Sequence, residues 1–215
     1  MLSAERIVEL QDQRIGAWHH SPEDSAGAEL GALADSNPDA ESGWLNTVAH
    51  QHRANFDLWH IEDEARAPGA TDTELATVKR RVDATNQRRN DLAEQLDRAL
   101  LGWLEAQGLP NPAAPLHSES PGLIVDRLSI LSLKIYHTRE EAERQDAPAG
   151  HAERNRQRLA ILEEQRSDLA GCLDVLWRQA LAGTRRFKLY RQLKMYNDPS
   201  LNPAIYSKSH LESGR

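Results

Sequence analysis

Val78, Val82, Thr85, Arg89, Leu92, Leu96, Leu100 and Trp103 recur every three or four residues between two pieces of helix punctuation. Upstream, Thr71 with Glu74 forms a capping box; downstream, Gly108 and Pro110 stop the pattern. Only an α-helix gathers such positions on one face, so a long amphipathic helix constrains everything else the chain can form. The pattern recurs. Ser42 is placed to cap a second helix carrying Leu45, Val48, Ala49, His52, Phe56, Trp59 and Asp63 at the same spacing. Ser3 can cap an earlier helix that runs to about Trp18 and breaks at Pro22. Ser120 followed by Pro121 opens a helix to about Gln145, with Leu123, Ile124, Val125, Leu128, Ile130, Leu131, Leu133 and Ile135 on more than one side. A helix apolar nearly all round is a central one. After Pro148 and Gly150 another helix carries Leu159, Leu162, Leu169, Leu173, Leu176 and Ala180, ending at Gly183. A short basic helix is predicted over residues 184–196, before the Asn197-Asp198-Pro199 turn.

β-branched and aromatic runs typical of strands are missing, and no internal repeat occurs. The expected fold is therefore all-α: an antiparallel bundle of four long helices plus short terminal helices. Residues 1–41 read as an N-terminal helix and a loose acidic linker, 42–203 as the bundle domain, and 204–215 as a C-terminal tail.

Charged residues make up 27% of the 215, and mean hydropathy is -0.67. No stretch approaches the roughly 20 apolar residues that span a bilayer, so no membrane partner is expected. The N-terminus lacks a signal-peptide pattern, which makes a cytoplasmic location the simple expectation. The one cysteine, Cys172, excludes an internal disulfide and a Cys-rich zinc site; among leucines it reads as a core residue. Net charge of -7 argues against nucleic acid as a partner. Yet Arg185, Arg186, Lys188, Arg191, Lys194 and Lys208 face only Asp198 in their segment, which is either a balance for an acidic body or a local anion site.

Polar residues also occupy stripes that a bundle should keep dry. Asp63 lies four residues past Trp59 in the stripe of the second helix, with His60 at its margin. A frayed helix end, a buried Asp–Arg pair that fixes register, and a functional site all account for it. On the third helix Arg89 holds a stripe position, flanked by Asn86, Asn90 and Asp97. Each buried polar group left unsatisfied costs about 1 to 3 kcal/mol, so several together suggest a surface for something polar. On the central helix Asp126 and His137 share one face, and Arg127 and Lys134 the next.

His60, Glu64 and His137 are the candidate ligands for a divalent metal inside the bundle, the one cofactor these residues suggest. Glu62 and Asp63 with Glu94-Gln95-Leu96-Asp97 partly match the ExxE…ExxD acidic pattern of all-α nucleotide pyrophosphohydrolases, although Ala65 stands where an acid is needed. No Gly-rich phosphate loop, nucleophile elbow or H-E-x-x-H occurs.

Four ordered segments carry a resemblance: LWHIEDEAR (Leu58 to Arg66), VDATNQRRND (Val82 to Asp91), SPGLIVDRLSILSLKIYH (Ser120 to His137) and KLYRQLKMYNDPSLNP (Lys188 to Pro203). Together they resemble a bacterial domain-of-unknown-function family, number 4254, from about Leu45 to Pro203. The resemblance implies a helical bacterial protein, and relatives sometimes encoded near cell-surface glycan glycosyltransferases. It implies no established activity and supplies no catalytic residues.

The leading expectation is a small-molecule enzyme or ligand-binding protein with a polar inter-helical pocket. His60, Asp63, His137 and Asp126 would provide acid–base chemistry, with the histidines as acid or base and the carboxylates orienting them. Asn86, Arg89, Asn90, Arg127, Lys134, Lys188, Arg191 and Lys194 would hold an anionic ligand, such as a sugar or nucleotide phosphate. The alternatives are a non-catalytic adaptor for a glycosyltransferase or other biosynthetic enzyme, docking through the basic tail, and a metal-dependent all-α phosphohydrolase. Bundles of this size often pair, so a homodimer is a further expected partner.

Overall fold

The computed structural model describes residues 3–20, 40–193 and 200–203. Residues 21–39 of the acidic linker, Lys194 and the tail from residue 204 lie outside them. Five helices carry the fold: α1 (Ala4–His20), α2 (Ala40–Glu64), α3 (Asp72–Glu105), α4 (Pro121–Glu143) and α5 (His151–Leu181). Among the described residues the only strand-like pairing is an isolated bridge between Leu116 and Arg186, so the all-α expectation holds.

The capping box at Thr71 forms as predicted: the Thr71 amide donates to the Glu74 carboxylate at 2.8 Å, and Glu74 N–H donates back to Thr71 Oγ1. α2 starts at Ala40, so Ser42 lies inside the helix rather than capping it. Ser120 flanks α4 but makes no cap bond to its own helix. Its hydroxyl instead donates to Asp97 of α3, and the Gly122 amide donates to the other oxygen of Asp97 at 2.7 Å. A carboxylate from one helix thus caps the next, where the helix dipole favours negative charge. The Ala4 amide of α1 is held the same way by Asp174 of α5, at 3.0 Å. Gly122 makes the α3–α4 approach possible, because a Cβ there would lie 2.3 Å from the Ala93 carbonyl oxygen.

α2 and α3 form one hairpin and α4 and α5 another, joined by residues 65–71 and 144–150. α4 touches all four other helices, the central position its apolar circumference predicted. The main core gathers Val48 (α2), Leu96 and Leu100 (α3), Ile124 and Leu128 (α4) and Leu173 and Leu176 (α5), and Ile7 of α1 joins it. A second apolar cluster unites Ile15, Trp18, Phe56 and Leu133, with Trp59 and Tyr136 packed against it. No helix in the described residues is long and apolar enough to cross a membrane.

The short basic helix does not form in residues 184–193. Phe187 is buried in the main core, and the Arg186 amide and carbonyl pair with Pro115 and His117 of the α3–α4 link. The Arg186 guanidinium donates to the Ala114 carbonyl and the Gln192 amide to Glu94. These tertiary bonds hold the backbone extended, against its helical tendency. Cys172 is exposed on α5 rather than in the core.

Candidate functional site

The interior of the bundle is crossed by a chain of hydrogen bonds. Asp126 of α4 is nearly buried and accepts from Gln51 Nε2 and, at 3.0 Å, from Asn55 Nδ2, both on α2. Arg89 of α3 reaches the same carboxylate, with Nε 3.5 Å from Asp126 Oδ1 and Nη1 3.5 Å from Asn55 Oδ1. Burial raises the Asp126 pKa, opposed by Arg89 and then by the Asn55 hydrogen bond. Asn55 Nδ2 also donates to Ser129 Oγ at 2.9 Å. Ser129 Oγ lies 2.6 Å from His52 Nδ1, and His52 Nε2 lies 3.0 Å from the Gln11 carbonyl oxygen. A carbonyl can only accept, so Nε2 carries the proton and Nδ1 receives the Ser129 hydroxyl. Full burial keeps His52 neutral, its pKa pushed down to about 3. Beyond it, Ser132 Oγ bonds Gln11 Oε1 and accepts from Arg166, itself paired with Asp12 at 2.7 Å.

Beside this network three imidazoles converge: His19 from the last turn of α1, His60 from α2 and His137 from α4. One ring nitrogen of each lies within 4.8 Å of the others. Each Nδ1 is already engaged: His19 with the Ile15 carbonyl at 2.9 Å, His60 with the Phe56 carbonyl at 2.8 Å, and His137 with Glu140 Oε2 at 2.8 Å. The Nε2 atoms of His19 and His137 are buried and have no hydrogen-bond partner among the described residues. Aromatic rings fix the orientations, with Tyr136 stacked on His19 at 4.5 Å and Trp59 on His137 at 4.8 Å. Burial lowers the His19 pKa, partly offset by its carbonyl bond and reinforced by His137 and His60.

Trp59 also lines a cavity of about 410 Å³ with Asn55, Glu62, Asp63, Arg66 and Arg89. Arg89 is the most enclosed charge there, and its buried Nε faces the Asp126 carboxylate at 3.5 Å without hydrogen-bond geometry.

The structure therefore divides the predicted site. Asp63 and Arg89 share the cavity, Asp126 pairs with Arg89, and His60 and His137 meet nearby. Asp63 is exposed, at the end of α2 where the stripe runs into solvent, and neither it nor Asp126 bonds a histidine. Glu64 turns outward to Arg81, and His19 takes the third place in the cluster. Asp97 is consumed in capping α4, and Asn86 and Asn90 do not line the cavity. Arg127 and Lys134 face away: Arg127 pairs with Glu119, and both border a different hollow of about 630 Å³ against α5. Lys188 and Arg191 are exposed on the extended C-terminal segment, and Lys194 lies outside the described residues. Glu94 and Asp97 are each engaged elsewhere, so the acidic pyrophosphohydrolase-like pattern does not assemble into a ligand cluster with Glu62 and Asp63 among the described residues.

Sequence reasoning missed Gln11, Gln51, Asn55, Ser129, Ser132 and His19. Only their spacing was visible: Gln51 and Asn55 on α2 and Ser129 and Ser132 on α4 stand one turn apart.

Fold and interior define an all-α bundle with a hydrogen-bonded polar core and a three-histidine cluster set against it. The chain belongs to the family described as Protein of unknown function (DUF4254), whose model matches residues 45–189. No curated protein and no solved structure matches it.

Proposed function

We propose that this chain binds a small polar ligand bearing an anionic group in the inter-helical cavity beside Trp59, as a binding protein or enzyme. Arg89 carries the proposal. Its guanidinium lines the cavity and is held from behind by Asn55 and by Asp126, whose carboxylate faces the buried Nε at 3.5 Å. A guanidinium fixed in a cavity wall is the usual anchor for a carboxylate or phosphate. Trp59 offers a flat apolar wall, and Glu62 and Asp63 offer acceptors for ligand hydroxyls.

The test is a thermal-shift screen of sugar phosphates, nucleotides and hydroxy acids on the wild type, with hits titrated against Arg89→Gln, Asp63→Asn and Arg127→Gln. Binding should weaken at least tenfold in Arg89→Gln and severalfold in Asp63→Asn, while Arg127→Gln leaves it unchanged. A hit indifferent to Arg89 and Asp63 would sink the proposal.

One observation favours the adaptor alternative, docking onto a bacterial biosynthetic enzyme such as a glycosyltransferase. Tyr190 and Leu193 are exposed beside the cations Lys188 and Arg191 in the same extended segment. Exposed apolar residues rimmed by charge suit a protein partner. In that case Leu193→Asp would abolish co-purification of the partner, and cavity variants would not.

A further inference from the structure

We infer that His19, His60 and His137 form a binding site for a divalent transition-metal ion of the zinc, copper or nickel class, ligated through their Nε2 nitrogens. The inference does not depend on the ligand cavity. His19 and His60 face backbone carbonyls with Nδ1, and a carbonyl only accepts, so each Nδ1 carries the proton. His137 Nδ1 faces the Glu140 carboxylate, which imposes the same state. Each ring therefore presents a lone pair on Nε2, and two of those nitrogens are buried without a partner.

Leaving a buried polar atom unsatisfied is unfavourable, and neighbouring rings that each offer only a lone pair cannot satisfy one another. A shared cation can. Metal-bound histidines commonly donate the other ring N–H to a carbonyl or carboxylate, which is the arrangement around all three rings here. Nitrogen ligands about 2.0 to 2.1 Å from a tetrahedral ion stand about 3.4 Å apart. The present limit of 4.8 Å closes to that with side-chain shifts of roughly an ångström.

The ligand set narrows the ion. Imidazole nitrogen without thiolate suits zinc, copper, nickel and iron(II), and excludes calcium and magnesium, which take oxygen. Three neutral ligands leave the charge of the ion to be balanced, and Glu140 stands behind His137. They also leave a fourth position for water or an exogenous group, the pattern of reactive rather than purely structural centres. The ion would tie together α1, α2 and α4, whose ring-bearing turns already rest on Phe56, Trp59 and Tyr136.

The experiment uses full-length protein without an affinity tag, stripped with chelator and dialysed, then titrated with zinc chloride by calorimetry and with cobalt chloride by visible absorption. One zinc per chain should bind and raise the melting temperature, and cobalt should give the intense bands of a four- or five-coordinate nitrogen site. His19→Ala, His60→Ala and His137→Ala should each weaken binding at least tenfold, and His50→Ala, on α2 outside the cluster, should not. Glu140→Gln, at an exposed position that folding tolerates, should weaken zinc about tenfold. Wild-type protein in which cobalt keeps its hexaaqua spectrum, or a zinc affinity that neither the histidine variants nor Glu140→Gln changes, would overturn the inference.

Discussion

Two buried ionisable groups pull the stability of this bundle in opposite directions as pH changes, and Asp97→Asn should separate them. His52 has its pKa depressed from 6.5 to about 3, so its contribution is complete above pH 6.5 and is lost as pH falls toward 3. Asp97 has its pKa raised from 3.8 to about 6, because burial outweighs its bonds to Ser120 and Gly122. Its contribution is complete below pH 4 and is lost as pH rises through 6. One pKa unit corresponds to about 1.4 kcal/mol. Going from pH 7 to pH 4, His52 therefore costs the fold about 3 kcal/mol while Asp97 returns about 2 kcal/mol. In the wild type Asp97 therefore offsets most of the His52 loss across this range. Asp97→Asn keeps an oxygen to accept the Gly122 amide but cannot titrate, so it should lose about 2 kcal/mol more than wild type on acidification. Half-buried His19 and His50, both with lowered pKa values, steepen both profiles equally, and Asp126 opposes them equally. The difference between the profiles thus isolates Asp97. Urea unfolding followed by far-UV circular dichroism at pH 4, 5, 6 and 7 gives that difference directly. If wild type and Asp97→Asn differ by a constant amount within 1 kcal/mol across the series, the assignment of Asp97 as a buried, reluctantly ionised cap is wrong.

Gly122→Ala should destabilise by about 1 to 3 kcal/mol or more, since its methyl would meet the rigid Ala93 carbonyl; a urea midpoint equal to wild type would contradict that contact. Ser129→Ala should cost about 1 to 3 kcal/mol, because His52 Nδ1 loses its donor and Asn55 an acceptor together; the same unfolding assay measures it. Leu128→Ala, at a fully buried position of α4, should cost about 2 to 5 kcal/mol. That loss should appear as an earlier urea midpoint with an unchanged helical spectrum.

The helices were legible because their causes are local: the Thr71–Glu74 box, the Ser120-Pro121 start and the Gly150 and Gly183 breaks all act within a few residues. The site was legible only where a polar residue interrupts an apolar stripe, as Arg89 does. Asp63 interrupts a stripe too, but at the point where α2 leaves the bundle, and periodicity alone does not show where a helix emerges into solvent. α4 hid its polar members for the opposite reason. With apolar residues nearly all round, it gives no phase by which to tell that Ser129 and Ser132 face α1 and α2. The Glu64 and His19 exchange has a similar origin. Spacing within α2 joins His60 to Glu64, whereas the actual third histidine comes from another helix, and one sequence carries no sign of that crossing. In residues 184–193, burial of Phe187 and pairing with Pro115 and His117 overrode a local helical preference.

The family match begins at residue 45, after α1 has ended, yet α1 delivers Ile7 to the main core, Gln11 to the hydrogen-bond chain and His19 to the imidazole cluster. What sequence comparison delimits is therefore smaller than what folds. A polypeptide cut to the matched segment would leave His52 and Ser132 facing a trough shaped to receive a helix. Supplied separately, a peptide spanning α1 would be the missing part of a split protein, and its affinity for the remainder would measure how much of this chain's interior lies outside the segment that the family model matches.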